Sequence, residues 1–525
     1  MDSRASPDYR CPLSTCVSTV ATLARSPDRG RRSAQLEGQH MFVNRMPRYE
    51  VLSEDALATL DAGAERLGTQ VGVRFDHPRA LALFREAGQT VDGDVVRFDP
   101  GFLRGQAAKA PSEFALRARN RERDIVVGGS SMIFGPANGP PFVRVDGERR
   151  DGTMADVEKL LMMVQVTDAL DTPGRNILEP NDVPLDVRHL LRALAATRLT
   201  DRVWSGEVSS EAAARDCLRM AEIVHGGRES IERDPVLFAN VNVNSPLHFD
   251  VRMLEGLLTY ADAGQAVIVT PFLLMGAMAP VTVPAALVQQ ITEALAGIAL
   301  VQLVRSGTPC VMGSFLSATD MKSGSPSFGG PESAIGLFAS GQIARRIGLP
   351  WRSGGGTLTS SQVADFQAGY EAFNTLDAAF LAGANVCWQS AGWLEGGLVT
   401  SFEKFAADCE LLDLLTHQFT PIDVDNQSLA FDAHLEVGQG GHFFGTAHTL
   451  ARFRDCFWRP TIASTENFER WSRNGSKDHA ERSDDRWREM LKTYERPPLD
   501  GSVEAELVEF VERRAAELGD AVFVR

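Results

Sequence analysis

Four aromatic side chains follow apolar segments of the sequence, at points where buried strands would end. They are Phe272, Phe315, Trp388 and Trp393. The nearest carboxylates are Asp365 and Glu395, and Gln389 adds an amide. Aromatic faces attract a cation that cannot donate hydrogen bonds, by about 2 kcal/mol or more once the cation has lost its water, and a carboxylate adds Coulomb attraction. We therefore expect these side chains to contact a quaternary ammonium group, although aromatic residues at such positions also pack simply against one another.

A second chemical feature is the stretch GGGTLTSSQVADFQAGYEA, which runs from residue 354 to residue 372 and follows an arginine and a serine. Its three glycines, Gly354, Gly355 and Gly356, would let a bulky group approach the main chain closely. Ser360 and Ser361 add hydroxyl groups, but the run lacks the form of a phosphate-binding loop. An equally weighted interpretation makes Asp365 a polar group at a helix start, with Ser360 or Ser361 as the cap.

The histidines give weaker signals. The segment GQGGHFFGTAHT (438–449) holds His442 and His448, whose spacing differs from the i, i+4 pair of a helical metal site. We interpret this segment as a shaped turn and keep His442 as a candidate substrate contact. Zinc-like cysteine spacing, a nucleophile elbow and a Walker motif are all missing from the sequence. We therefore predict no metal site, and the sequence assigns no catalytic residue.

Strands alternate with helices from about residue 230 onward. Predicted strands cover 235–243, 265–276, 308–317, 349–356 and 384–392, and predicted helices begin after Thr282, at Pro331 and near Ser361. Apolar strands that alternate with amphipathic helices indicate a parallel sheet covered by helices. Because at least five such units recur without a dinucleotide fingerprint, we predict an α/β fold with a closed (β/α)8 TIM barrel. In such a barrel the side chains that follow each strand meet at one end.

Three further segments complete the predicted organisation. Residues 1–40 are predicted to be a disordered extension, unless the start is mis-assigned and Met41 or Met46 begins the protein. Residues 41–150 are predicted to form an N-terminal α+β segment packed on the barrel. The barrel itself is assigned to residues 151–450, and residues 451–525 to C-terminal helices.

Composition restricts the partners and the compartment. The net charge of −16 argues against binding to nucleic acid or to an anionic membrane surface. No uninterrupted apolar run reaches the roughly 20 residues that span a bilayer. The seven cysteines are scattered, as in proteins of a reducing compartment. We expect a cytoplasmic protein that binds a small molecule.

Several separated motifs resemble the trimethylamine methyltransferase family, whose members are corrinoid-dependent TIM-barrel methyltransferases. The matching stretches are LSEDALATL, VNSPLHFD, ITEALAGIALVQL, GSFLSATDMKSGSPSFGGPES, SQVADFQAGYEA, LAGAN, GGLVTSFEKFAADCELL, EVGQGGHFFGTAHT and the tail WSRNGSKDHAERSDDRWREMLKTYERPPLD. The resemblance runs from about residue 49 to the end. Because the chain contains only the standard residues, it resembles the branch that lacks pyrrolysine, which includes glycine betaine methyltransferase and enzymes for related quaternary amines.

The resemblance implies an enzyme of one-carbon metabolism. It would move a methyl group from glycine betaine or a related betaine to the Co(I) corrinoid (cobalamin) of a separate small protein, with no corrinoid tightly bound by this chain. The glycines 354–356 together with Ser360 and Ser361 are then candidates to face that cofactor. The chain is also a candidate homo-oligomer.

Two alternatives stay open at this point. The chain could be a non-catalytic sensor that binds quaternary amines, or a methyltransferase that uses a sulfonium donor, whose cationic centre suits the same rings. Two departures from the family bear on this choice. Gln362 stands where the family often has lysine, and Trp388 and Trp393 are bulkier than the residues expected there.

Overall fold

The computed structural model describes residues 41–519, so the predicted extension of residues 1–40 lies outside the described residues. The described chain forms two compact units. The larger unit comprises residues 41–423 and 459–519, and the smaller unit comprises residues 424–458.

The N-terminal part of the larger unit combines short strands with three helices. They are β1 (Phe42–Val43), α1 (Glu54–Gln70), β2 (Val73–Phe75), α2 (Pro78–Glu86), β3 (Thr90–Asp92), β4 (Val95–Arg97), α3 (Phe102–Ala107), β5 (Glu113–Leu116), a 3-10 helix (Arg121–Arg123), β6 (Ile125–Gly128), β7 (Ser131–Phe134), β8 (Phe142–Val145) and β9 (Glu148–Asp151). Helix α1 begins at Glu54 because the Ser53 hydroxyl caps it, accepting a hydrogen bond from the Ala56 amide. Strands β1 and β7 belong to the main sheet, which therefore takes two strands from before residue 151.

Helices and strands alternate through the central part of the larger unit. They are α4 (Met154–Val166), α5 (Leu185–Leu199), α6 (Glu211–His225), α7 (Arg228–Arg233), β10 (Phe238–Val243), β11 (His248–Phe249), α8 (Val251–Asp262), β12 (Ala266–Pro271), β13 (Leu273–Met275), α9 (Val283–Val304), β14 (Cys310–Gly313), β15 (Leu316–Thr319), β16 (Pro326–Ser327), α10 (Pro331–Ile347), β17 (Trp351–Ser353), α11 (Phe366–Ala382), β18 (Val386–Cys387), β19 (Trp393–Leu394), a 3-10 helix (Glu395–Gly397), β20 (Val399–Ser401) and α12 (Phe402–Gln418). Each of the five predicted strand segments contains one strand of the main sheet, so the predicted rhythm is confirmed.

The rest of the described chain is helical. The smaller unit contains α13 (Phe431–Val437) and α14 (Ala447–Arg452), and the larger unit ends with α15 (Phe468–Arg473), α16 (His479–Lys492) and α17 (Gly501–Glu517). In the larger unit, the Trp487 ring centre lies 5.1 Å from that of Phe402. This contact packs α16 against α12.

The main sheet has seven strands in the order β1-β7-β18-β17-β14-β12-β10. All neighbouring pairs from β7 to β10 are parallel, and β1 pairs antiparallel with β7. Hydrogen bonds continue past both ends of this parallel run. The Asp171 amide donates to the Phe134 carbonyl at 2.8 Å, and Ser205 forms a parallel bridge with Phe238. The chain thus has a mixed α/β fold built on a parallel sheet.

The two faces of this sheet are covered differently. Helices cover the face that carries Val267, Val269, Met312 and Trp351. The opposite face, here called the inner face, carries a separate apolar cluster that includes Phe238, Ile268, Val311, Val386 and Trp388. Successive side chains of a strand point to opposite faces. Because Trp351 faces the helices, its neighbour Arg352 projects from the inner face.

Helix α11 begins later than the sequence predicts. Its first residue is Phe366, whereas the predicted start is near Ser361. Asp365 is the cap, because its carboxylate accepts hydrogen bonds from the Ala368 amide and from the Ser361 hydroxyl, both at 2.9 Å. The prediction that Ser360 or Ser361 caps this helix is therefore wrong.

Helix α9 is the one helix within residues 41–519 that is long and apolar enough to cross a membrane. However, 83% of its apolar window is buried inside the protein. Its Glu293 is also buried, and it accepts hydrogen bonds from the Ser245 hydroxyl at 2.6 Å and from the Leu247 amide at 2.7 Å. Helix α9 is therefore a core helix that supports the loop after β10.

Candidate functional site

Three of the four predicted aromatic side chains lie together beyond the carboxyl ends of the main-sheet strands. The ring centres of Phe272 and Phe315 are 4.7 Å apart, and those of Phe315 and Trp393 are 6.3 Å apart. Phe328 joins them, 5.7 Å from Phe315 and 5.6 Å from Trp393. We call these four rings the aromatic cluster. Three of them are buried and Phe272 is half-buried, so the cluster approaches the surface at Phe272.

The fourth predicted aromatic side chain, Trp388, lies elsewhere on the inner face. Its ring centre is 5.5 Å from that of Phe238, and the two rings are nearly perpendicular. A Cβ atom on Gly135 would lie only 2.3 Å from Trp388 Cε3, so the large ring fits because residue 135 is a glycine. The structure does not bring Trp388 into ring contact with the aromatic cluster, and it gives this residue a packing role.

Both predicted carboxylates are engaged within the chain. Glu395 accepts a hydrogen bond from Arg149 Nε at 3.0 Å, and the Arg149 guanidinium lies 3.8 Å from the centre of the Phe142 ring. Asp365 caps α11, and the hydrogen bond from the Ala368 amide holds the pKa of its carboxyl below the usual value. The aromatic cluster therefore offers a cation its ring faces rather than an unpaired Glu395 or Asp365.

The glycine run fills a narrow gap between neighbouring strand ends. A Cβ atom on Gly354 would lie 2.4 Å from Phe315 Cα, and one on Gly356 would lie 2.5 Å from the Gln389 carbonyl oxygen. On Gly355 the nearest atom would be 3.4 Å away. All three glycines are buried. Gly354 and Gly356 thus allow this loop to pass close to the segments that carry Phe315 and Gln389.

The two predicted serines hold the same loop in place. Ser360 Oγ accepts a hydrogen bond from the Phe328 amide at 2.9 Å, and Ser361 Oγ donates to Asp365 at 2.9 Å. Ser360 therefore helps to position one ring of the aromatic cluster. That these serines and the glycines 354–356 face a cofactor stays a prediction.

Gln389 joins the site through Arg352. Arg352 Nη2 donates to Gln389 Oε1 at 3.0 Å, and Nη1 donates to the Ser314 carbonyl at 2.9 Å. The Arg352 guanidinium carbon lies 5.7 Å from the centre of the Phe315 ring. Gln389 has a φ of 57°, a left-handed conformation that is rare outside glycine and recurs at functional sites.

Arg352 is a buried cation. Its residue surface is 2% exposed, and burial lowers the pKa of its guanidinium from 12.5 to about 10, so it remains charged at neutral pH. Among residues 41–519 no Asp or Glu forms an ion pair with it, and burial raises the pKa of the nearby Cys387 thiol, which keeps that group uncharged at neutral pH. Within residues 41–519, Arg352 Nε also lacks a hydrogen-bond partner.

A row of polar side chains lies beside Arg352 on the inner face. The Thr270 hydroxyl donates to Asn240 Oδ1 at 2.9 Å, and the Asn240 amide donates to Asn242 Oδ1 at 3.1 Å. Gly313 pairs in register with Arg352, and a Cβ atom there would lie 2.4 Å from Thr270 Oγ1. Asn242 is exposed although both of its strand neighbours are buried. Solvent therefore reaches the inner face where the strands end.

His442 lies in the smaller unit. Its side chain is exposed, and its ring centre is 6.0 Å from that of Phe444. The turn that contains it leads into α14, where the Thr446 hydroxyl caps the helix by accepting a hydrogen bond from the Thr449 amide. The assignment of His442 as a substrate contact stays a prediction.

Arg352 and Phe328 belong to this site, although neither is among the site residues predicted from the sequence. Arg352 stands next to Trp351 inside the predicted strand 349–356, and a charged residue in the middle of a buried strand was the signal for it. Phe328 lies in a loop rich in glycine, serine and proline, where no periodicity marks a buried position. Its role follows only from contacts with distant segments.

Comparison with known proteins finds relatives over most of the chain. The family model described as trimethylamine methyltransferase (MTTB) matches residues 22–519. A glycine betaine methyltransferase of Desulfitobacterium hafniense (strain Y51) is 36% identical over 476 residues, which cover 90% of this chain and 99% of the relative. A trimethylamine methyltransferase MttB of Desulfitobacterium hafniense (strain DSM 10664 / DCB-2) is 28% identical over 479 residues, covering 89% and 95%. A proline betaine:corrinoid methyltransferase of Eubacterium limosum is 27% identical over 428 residues, covering 80% and 88%.

These matches extend across the N-terminal segment, the parallel sheet and the C-terminal helices alike. The predicted resemblance, which began near residue 49, is confirmed over a slightly longer stretch. The chain belongs to the trimethylamine methyltransferase (MTTB) family.

Proposed function

We propose that this chain is a methyltransferase that moves a methyl group from a quaternary amine to the corrinoid of a partner protein. The observation that carries the proposal is the aromatic cluster beyond the strand ends, found in a chain of this family. Relatives named for glycine betaine and for proline betaine point to the same class of donor. The name of the proline betaine relative also includes the corrinoid acceptor.

We further propose that the main sheet closes into a TIM barrel. Six parallel strands run from β7 to β10 in the order β7-β18-β17-β14-β12-β10. The segments around Asp171 and Ser205 continue the hydrogen bonding from either end of this run, and the Ser205 amide donates to the Gly174 carbonyl at 3.1 Å. The six strands and these two segments would occupy the eight strand positions of such a barrel. The carboxyl ends of the strands are where TIM barrels carry their active sites.

Methyl transfer from a quaternary amine needs no general acid or base. A quaternary nitrogen already carries its positive charge, so a departing methyl group leaves a neutral tertiary amine behind. The corrinoid, when its protein is bound, supplies a strongly nucleophilic Co(I) that accepts the methyl group. The aromatic cluster holds the ammonium group by its ring faces, excludes water and directs one methyl group toward the open side near Phe272.

An exposed apolar stripe on α11 is proposed as the docking face for the corrinoid protein. Phe366, Tyr370 and Phe373 recur on one side of this helix and are 86%, 52% and 40% exposed. Because α11 starts just beyond β17 and the loop with Gly354, the stripe begins at the strand end where the site lies. This continuity favours the corrinoid protein as its occupant over a second copy of the chain.

We expect the reaction to take place in the cytoplasm. The described cysteines are free thiols: Cys217, Cys310, Cys387 and Cys409 are buried and Cys456 is exposed. An exposed thiol such as Cys456 persists in a reducing compartment.

The proposal is tested by mixing the purified protein with a reduced corrinoid protein and a panel of donors, and by following the absorbance of Co(I) as it is consumed. The panel contains glycine betaine, proline betaine, carnitine, trimethylamine and a sulfonium analogue, and free cob(I)alamin serves as a second acceptor. We expect methyl transfer from at least one quaternary amine. Transfer from the sulfonium alone would change the donor class, and tight betaine binding with no transfer would identify a sensor instead.

A further inference from the structure

We propose that Arg352 binds the carboxylate of the methyl donor and thereby selects betaines over quaternary ammonium compounds without a carboxyl group. The inference rests on the proposed function, because it takes the aromatic cluster as the site of the ammonium group. It adds a second contact at the other end of the donor. It also disfavours donors that are cations only.

The first support is the lack of a carboxylate paired with this cation within residues 41–519. Other buried arginines of the larger unit have acidic neighbours: Arg192 donates to Glu207 at 2.7 Å and to Glu179 at 2.8 Å. Arg202 donates to the Thr167 carbonyl at 2.7 Å and lies in the field of several aspartates. Arg352 instead has two neutral acceptors, Ser314 and Gln389. A buried charge without a partner is costly to keep, which points to a ligand anion as its missing partner.

The second support is the position of Arg352 on the inner face. Its guanidinium lies 5.7 Å from the Phe315 ring centre, so the anion site and the aromatic cluster are adjacent. In glycine betaine a single methylene joins the carboxylate to the nitrogen, which suits two adjacent subsites of opposite character. Asn242, near the carboxyl end of β10 and three strands away from β17, is exposed, so solvent reaches that part of the inner face.

The inference has a measurable consequence for selectivity. A hydrogen-bonded ion pair with Arg352 would add to the binding free energy of a ligand that carries a carboxylate. A ligand without the carboxylate leaves Arg352 buried and unpaired. We therefore expect glycine betaine to bind at least about 30-fold more tightly than its methyl ester, which keeps the cation and loses the negative charge. Tetramethylammonium should bind as weakly as the ester.

The first experiment measures dissociation constants of the wild-type protein by calorimetry for glycine betaine, its methyl ester and tetramethylammonium. Preference for glycine betaine of the stated size supports the proposal. Equal affinity for glycine betaine and the ester overturns it. This comparison requires no variant, so it decides the question even where a substituted protein fails to fold.

The second experiment uses two variants of the site and one control. Arg352→Met removes the cation, and Gln389→Glu places a carboxylate where Arg352 Nη2 already donates at 3.0 Å, so that the guanidinium is neutralised from within. Both should weaken glycine betaine at least about tenfold and change tetramethylammonium less than about threefold. The control is Arg215→Met, the same substitution at an exposed arginine of α6, which should leave both affinities unchanged.

The outcomes separate this inference from the proposed function. Methyl transfer from glycine betaine and from its ester at equal kcat/KM would overturn the role of Arg352 and leave the methyltransferase intact. Binding of glycine betaine that depends on Arg352, without methyl transfer to any corrinoid, would support the anion site and overturn the catalytic proposal. Loss of both ligands to the same extent in Arg352→Met and in Gln389→Glu would make Arg352 a structural residue and overturn the inference.

Discussion

The guanidinium carbon of Arg352 lies 5.7 Å from the centre of the Phe315 ring. Phe315 lies two residues after β14, and Arg352 is the middle residue of β17, which pairs with β14 in parallel register. Two neighbouring strands thus hold a cation and an aromatic ring at fixed separation. This pair defines the two ends of the site.

Replacing Phe315 with leucine tests the aromatic cluster. Leucine keeps apolar volume and loses the ring face, so we expect about 5- to 30-fold weaker binding of glycine betaine, measured by calorimetry. The control is Phe380→Leu, which alters a fully buried ring that stacks on Phe134. That variant should lower the Tm and leave the affinity within about twofold, and equal losses of affinity in both would contradict the assignment.

Replacing Asp365 with alanine separates its two sequence interpretations. The structure makes Asp365 the cap of α11, so Asp365→Ala should cost about 1 kcal/mol of stability and lower the Tm. Asp365→Asn keeps an acceptor oxygen and should lose less. Calorimetry with glycine betaine should give unchanged affinity for both variants. A large loss of affinity in Asp365→Asn would show that the carboxylate contacts the substrate.

The three glycines predict a contrast between two otherwise identical substitutions. A methyl group on Gly354 would collide with Phe315 Cα, whereas one on Gly355 finds its nearest neighbour at 3.4 Å. Gly354→Ala should therefore lower both the Tm and the betaine affinity, while Gly355→Ala should keep both. If Gly355 faces the corrinoid, Gly355→Val should raise the KM for the corrinoid protein. Unchanged kinetics in Gly355→Val would remove Gly355 from the cofactor contact.

Acid should weaken the fold through Glu207. Burial alone would raise the pKa of this carboxyl, but Arg175 and Arg192 lower it from 4.5 to about 2. Since the folded state binds this proton less tightly than the unfolded state, the carboxylate stabilises the fold fully above pH 4.5, by about 3 kcal/mol. That contribution disappears as the pH falls toward 2. Glu207→Gln should lower the Tm at pH 7 and approach the wild type in strong acid, and a pH-independent difference would refute this.

The apolar stripe on α11 predicts that variants of its residues react poorly with the corrinoid protein and normally with free cob(I)alamin. The double variant Phe366→Ser with Tyr370→Ser should raise the KM for the corrinoid protein about tenfold or more, and should leave methylation of free cob(I)alamin unchanged. Val71→Ser, at another exposed apolar position, is the matched control. An equal loss with both acceptors would place the defect in the site and not in docking.

Local patterns predicted the alternating elements, because strands such as β10 and helices such as α9 are marked by apolar runs and helical spacing. Their ends were less predictable. The predicted strand 265–276 breaks into β12 and β13, since β13 pairs with β15 in a different sheet. The start of α11 shifted because the Asp365 side chain folds back onto the helix. Both effects depend on contacts that spacing alone does not encode.

The sequence predicts those site residues whose location depends only on their position after a strand. Phe272 lies directly after β12 and Phe315 lies two residues after β14, so both stand beyond the ends of parallel strands, as the sequence predicts. Trp388 also follows a strand, yet it turns into the apolar cluster since Gly135, far away in sequence, leaves space for it. Arg352 was not predicted, because the sequence does not show whether a charged residue in a strand has an acidic partner elsewhere in the fold.

A structure of the protein with glycine betaine bound would show directly whether the aromatic cluster and Arg352 form the substrate site. We expect the quaternary nitrogen within about 6 Å of the ring centres of Phe315, Phe328 and Trp393, with the carboxylate on Arg352. A betaine bound away from these rings, or with its carboxylate on another cation, would contradict this expectation.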